Sequence, residues 1–188
     1  LIPKIAEEFK VAFGRDSGGL VRGYRLEDAE TVVVAMGSVL GTIKDTVDDM
    51  CEQGVNIGVL GVISFRPFPL EAVRAALKNA KRVVILEKTF AVGIGGILAT
   101  DVRTAMDGME ISDYTVVAGL GGRSITKKSL RAYFEKAVQD DVPALSFLDL
   151  EWDIVNKQLE RERLKRRSGP TAENILRDVG SGHLVQQS

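Results

Sequence analysis

Apolar positions along this chain change their period in a regular way. Thr31 to Met36 is a short, continuous, largely β-branched run, the pattern of a parallel strand covered on both faces, and Gly37-Ser38 ends it. Ile43, Val47, Met50 and Cys51 then recur at helical spacing, with Lys44, Asp45, Asp48, Asp49 and Glu52 on the remaining surface and Gly54 as the stop. Asn56 to Ile63 predicts the next strand, which Phe65-Arg66-Pro67-Phe68-Pro69 cannot continue because its prolines fix φ and lack a donor. Leu70, Val73, Ala76, Leu77 and Ala80 mark a second amphipathic helix, and Arg82 to Leu86 a third buried strand ending at Glu87-Lys88. Ile94, Leu98, Val102, Ala105 and Met106 give a third helix after Gly93-Ile94-Gly95-Gly96. Tyr114 to Ala118 is a fourth strand, closed by Gly119-Leu120-Gly121-Gly122. Thr126 is placed to cap a last core helix with the stripe Leu130, Tyr133 or Phe134, Ala137 and Val138. Strand and helix alternating in this way predict a three-layer α/β domain with right-handed crossovers.

The two ends read differently. Residues 1–22 carry apolar fragments without a sustained period, punctuated by Gly14, Gly18 and Gly19, and are expected to be a linker from an upstream domain. The core domain is expected over 23–142, and 143–188 as a C-terminal extension. There, Trp152 leads into the charge-dense Gln158 to Arg167, a solvated helix or an arm over a neighbouring subunit, anchored by Trp152. Thr171 to Val179 could add a short helix, with a weakly ordered tail from Gly180 onward.

Composition narrows the function. The 188 residues carry a formal charge of −1, so no basic field concentrates nucleic acid or anionic lipid. No run reaches the roughly 20 apolar residues that span a bilayer, and Leu1-Ile2-Pro3-Lys4 is neither a translation start nor a signal peptide. A truncated, soluble piece of a longer protein is expected. Cys51, the one cysteine, reads as a small core hydrophobe and cannot by itself hold zinc or an iron–sulfur cluster.

Candidate chemistry gathers where strands end, because the carboxyl edge of a parallel sheet is where ligands and partner domains bind. Glycine turns there could cradle phosphate. However, Leu98 stands where a dinucleotide fingerprint from Gly93 needs glycine or alanine, and no Gly-Lys-Ser/Thr follows any glycine loop. The glycines then serve tight turns and close packing. Arg66 and Arg123 could each grip a phosphate or carboxylate in a bidentate way, or form a structural ion pair with Glu87 as an available partner. Glu87 has no second carboxylate near it for acid–base work, and His183 lies in the tail, so no nucleophile, base and orienter set exists. The candidates for interface or anion contacts are Ser38, Arg66, Glu87, Lys88, Gly121, Arg123 and Trp152; no catalytic, cofactor-binding or metal-binding residue is assigned.

Five ordered segments resemble one family. They are Gly14-Arg15 to Leu20, Tyr24-Arg25-Leu26-Glu27-Asp28-Ala29-Glu30, Val34-Ala35-Met36-Gly37-Ser38, Phe65-Arg66-Pro67-Phe68-Pro69 and Gly119-Leu120-Gly121-Gly122-Arg123. Together they are similar to the α-subunit of 2-oxoacid:ferredoxin oxidoreductases, most closely the pyruvate type, in the domain that follows the pyrimidine-binding domain and resembles the transketolase C-terminal domain. The resemblance implies a five-stranded mixed sheet with a short Tyr24 strand antiparallel to four parallel ones. It also implies a cytoplasmic enzyme that uses thiamine diphosphate with magnesium, iron–sulfur clusters, coenzyme A and ferredoxin to decarboxylate a 2-oxoacid, or to run the reverse. None of those cofactors is expected on this piece, whose implied task is to scaffold the upstream domain and other subunits. Two departures affect charge chemistry: Ser124 follows Arg123 where the family usually has aspartate, and Glu87-Lys88 stands where it usually has Asp-Arg. They leave 2-oxoacids other than pyruvate open. The rival from another class is a free-standing α/β regulatory module that holds a small anion or nucleotide.

Overall fold

The computed structural model describes residues 1–164. In chain order the elements are α1 (Ile2–Phe13), β1 (Val21–Tyr24), β2 (Thr31–Ala35), α2 (Val39–Cys51), β3 (Ile57–Val62), α3 (Leu70–Leu77) and β4 (Arg82–Glu87). They continue as α4 (Ile97–Ala105), β5 (Ser112–Val117), a turn at Leu120–Gly122, α5 (Lys127–Ala137), β6 (Leu145–Phe147) and α6 (Trp152–Leu164). The chain divides into two compact units, one of Leu1–Asp149 and one beginning at Leu150. The short helix expected over Thr171 to Val179, the tail from Gly180 and His183 lie outside the described residues.

The first unit is built on a six-stranded sheet of order β1-β3-β2-β4-β5-β6, in which β1 alone runs antiparallel. Its alternating pleat sorts the core into two layers. Val32, Val34, Leu60, Val83 and Ile85 pack under α3 and α4, whereas Val33, Val59, Val84, Leu86 and Val116 pack under α2 and α5. Every residue of β2 and β3 is buried, as a continuous apolar run predicts for strands covered on both faces. Thr126 caps α5 as its sequence position suggests, its side chain accepting the Ser129 N–H at 3.1 Å.

Three differences from the sequence expectations follow from local physics. The expected linker contains α1, which ends at Gly14 in the left-handed conformation with its N–H bonded to Lys10. None of its residues is buried. The antiparallel strand, expected at Tyr24, runs over Val21–Tyr24 and so begins within the expected linker. A sixth strand joins the expected five: Leu145, Ser146 and Phe147 pair with Thr115, Val116 and Val117, beyond the expected domain limit at 142. The second unit contains α6, and Trp152 at its first turn is 56% exposed.

Candidate functional site

The order of strands creates a crevice. β2 and β4 are hydrogen-bonded neighbours, yet the chain leaves β2 for α2 on one face of the sheet and leaves β4 for α4 on the other. Such a topological switch opens a gap at the carboxyl ends of the two strands, where α/β folds bind ligands. A cavity of about 180 Å³ lies here, lined by Ser38, Val39, Thr42, Lys88, Arg123 and Ile125. The loops after β2, β4 and β5 therefore bring together three of the seven sequence candidates, Ser38, Lys88 and Arg123. Arg123 is oriented by donating from Nη1 to the Asp149 carbonyl. Ser38 opens α2 without a side-chain capping bond.

The other candidates lie elsewhere. Arg66 does not pair with Glu87: its Nη1 donates to Asp101 Oδ2 at 2.7 Å and its guanidinium lies 3.9 Å over the Phe65 ring. Glu87 cannot meet it because it points inward. It is 4% exposed, and its Oε1 accepts the Ala99 N–H at 2.8 Å. The cap position of α4 is Gly96, which has no side chain to accept this helix's first amides, so the end of β4 supplies the acceptor. A Cβ at Gly96 would stand 2.5 Å from that same Oε1. Burial pushes the Glu87 carboxyl up from its ordinary pKa, while the amides of Ala99 and Leu98 oppose the rise. Glu87 is thus a structural cap and not a surface acid. Gly121 lies in the exposed Leu120–Gly122 turn, outside the lining of the cavity. Trp152 belongs to the second unit.

Val39, Thr42 and Ile125 were not singled out in the sequence. Thr42 was within reach of it, since residues four apart share a helix face and Ser38 was already a candidate.

The segments that follow β4 and β5 also carry exposed apolar side chains. Phe90, Val92 and Ile94 on the β4–α4 connection, Ile97 at the first position of α4 and Leu120 after β5 are large exposed hydrophobics, with Val92 95% exposed. Phe90 also rests edge-on against Phe147 of β6, ring centroids 5.4 Å apart. A second apolar surface runs along α1, where Ile2, Ile5 and Phe9 with Ile63 line a groove of about 470 Å³. Among the described residues, no helix is long and apolar enough to cross a membrane.

Comparison with known proteins places this geometry. The family model for the pyruvate:ferredoxin oxidoreductase core domain II matches residues 29–130. Pyruvate synthase subunit PorA of Methanosarcina barkeri is 42% identical over 166 residues, covering 82% of this chain and 41% of that protein. Ketoisovalerate oxidoreductase subunit VorA of Pyrococcus horikoshii is 32% identical over 170 residues, covering 88% of this chain and 40% of that protein. The chain thus spans about two fifths of the length of these curated relatives. Among solved structures, 2-oxoglutarate:ferredoxin oxidoreductase from Magnetococcus marinus shares the fold, with a TM-score of 0.53 at 17% identity over 71% of this chain and 21% of that one. The family match spans the strands, helices and loops that build the switch-point cavity up to α5, and the chain belongs to the pyruvate:ferredoxin oxidoreductase core domain II family.

Proposed function

We propose that this chain is the scaffold and subunit-interface domain of a thiamine-diphosphate-dependent 2-oxoacid:ferredoxin oxidoreductase, with pyruvate as the first-choice substrate. The observation that carries the proposal is the exposed apolar edge of Phe90, Val92, Ile94, Ile97 and Leu120 in a chain that is two fifths the length of its relatives. Large apolar side chains exposed close together in sequence, as these are on the β4–α4 segment, mark contact sites where they gather. The partners would be the pyrimidine-binding domain and the other subunits, with ferredoxin as the electron acceptor of the whole enzyme.

The donors here do not fit the redox centres or the metal of that reaction. One cysteine cannot ligate an iron–sulfur cluster. Among the described residues no group of three His, Cys, Asp or Glu could hold a metal ion. The chain's own contribution is shape: a rigid sheet that fixes the loops after β2, β4 and β5 against neighbouring protein.

The test is recovery of the complete subunit from its source cells, with identification of bound chains and an assay for 2-oxoacid- and coenzyme A-dependent reduction of a viologen dye. A cluster-bearing partner together with that activity is the expected result. A lone subunit without activity would overturn the proposal.

A further inference from the structure

Glu87 stands where three parts of the first unit meet. Its backbone carbonyl accepts the Ala118 N–H at 2.8 Å, which ties the end of β4 to the residue that follows β5. Its buried side chain accepts the Ala99 N–H at 2.8 Å, which ties the same residue to the first turn of α4. Residues 88–96 leave β4 and enter α4 between these points, so the carboxyl group closes the loop at its base. The tip is closed separately: the Ala91 N–H donates to the Gly95 carbonyl at 2.9 Å, and the Gly95 N–H to the Ala91 carbonyl at 2.7 Å. Val92 and Ile94 stand between the bonded pair, 95% and 70% exposed. We propose that Glu87 is the positioning residue of the apolar edge, its side chain fixing the β4–α4 loop in the conformation in which Val92 and Ile94 meet a partner subunit. The inference rests on the interface reading given above.

A helix start is ordinarily capped by a serine, threonine or aspartate at the cap position itself, where the side chain stays partly in water. Here that position is Gly96, and the acceptor comes across the loop from β4 at the cost of burying a carboxyl group. What this arrangement adds over a local cap is a join between the two ends of the loop. Two apolar anchors on a loop already held in one conformation lose less freedom on binding than the same anchors on a loose one, so the affinity for a partner rises without any new contact. The segment bearing Leu120 starts just after Ala118, which Glu87 also holds, so one residue aligns both exposed stretches.

Two measurements separate the positioning role from the interface. Hydrogen exchange of the full chain reads the loop: Glu87→Ala should speed exchange at the Ala91 and Gly95 amides by about tenfold, and Glu87→Gln, which keeps an acceptor oxygen in the same place, should restore the slow rate. Gly96→Ala, which displaces the carboxyl group without removing it, should act in the same direction as Glu87→Ala. Dissociation of the complete enzyme on dilution, followed by mass photometry, reads the interface. Association should weaken about tenfold in Glu87→Ala, recover in Glu87→Gln, and be unchanged in Ile43→Val, a mild truncation of the core under α2. Unchanged loop exchange in Glu87→Ala, or unchanged association in it where Val92→Asp dissociates the enzyme, would overturn the proposal alone. Unchanged association in Val92→Asp would overturn the interface reading, and the proposal with it.

Discussion

Substituting Gly96 by alanine should drive Glu87 off the start of α4. The added Cβ would lie 2.5 Å from Glu87 Oε1, 2.6 Å from Cγ and 2.8 Å from Cδ, all well inside van der Waals contact. Glu87 cannot yield cheaply, being 4% exposed and bonded to the Ala99 amide. Overpacking costs about 1–3 kcal/mol, and loss of a helix-capping acceptor about 0.5–2 kcal/mol. Alanine at this position returns about 0.4–1 kcal/mol through the unfolded chain, since the backbone at φ −78°, ψ 130° suits any residue. The net loss expected for Gly96→Ala is about 0.5–4.5 kcal/mol. Glu87→Ala removes the acceptor and the obstacle together, so in that background Gly96→Ala should be close to neutral. Urea denaturation of the four proteins gives the coupling directly, provided the slope m is unchanged. Additivity of the two substitutions to within about 0.5 kcal/mol would refute the reasoning, because the two sites would then not be in contact.

Three further outcomes follow from the same geometry. Because burial raises the Glu87 pKa, the native state binds more protons than the unfolded state between the ordinary glutamate value and the raised one, so stability should fall as pH rises through that window. Glu87→Gln should remove that part of the slope in denaturation measured from pH 4 to 8, and an unchanged slope would contradict the assignment. Gly58→Ala places a Cβ 2.4 Å from the Arg25 carbonyl oxygen and 3.0 Å from the Ala29 Cβ. The obstacle is backbone, so a loss of about 3 kcal/mol is expected in the same assay, and a midpoint like wild type would count against the close crossing. The isolated chain supplied with thiamine diphosphate, magnesium, coenzyme A and pyruvate should neither bind the cofactor tightly by calorimetry nor reduce viologen. Turnover by the chain alone would contradict a scaffolding role.

The central strands were legible because burial on both faces leaves a plain signal. Thr31 to Ala35 and Ile57 to Val62 are unbroken apolar or small-residue runs bounded by polar turns. Helix α1 was missed although its period is present: Ile2, Ile5, Phe9 and Phe13 fall three or four apart. The glycines at 14, 18, 19 and 23 follow so closely that a window over the whole segment loses the pattern. Strand β6 was missed for another reason. Three residues are too short for a period, and their strand character comes from pairing with β5, a contact about 30 residues away in the chain.

The site was half legible. Residue types at predicted strand ends pointed to Ser38, Lys88 and Arg123, because parallel strands deliver their carboxyl ends to one edge. Which loops meet depends on strand order, which the local pattern does not encode. For the same reason Arg66 was expected near Glu87, although it pairs with Asp101 on α4 while Glu87 turns into the core.

The central claim is that this domain holds other protein through its apolar edge. The most direct measurement is co-purification and viologen-reduction activity of the complete enzyme carrying Val92→Asp and Ile94→Asp, alongside circular dichroism of the same variant of this chain. Both side chains are exposed, at 95% and 70%, so the fold should be unchanged. Loss of subunit association and activity with an intact spectrum is the predicted result. Full assembly and full activity in the variant would contradict the account.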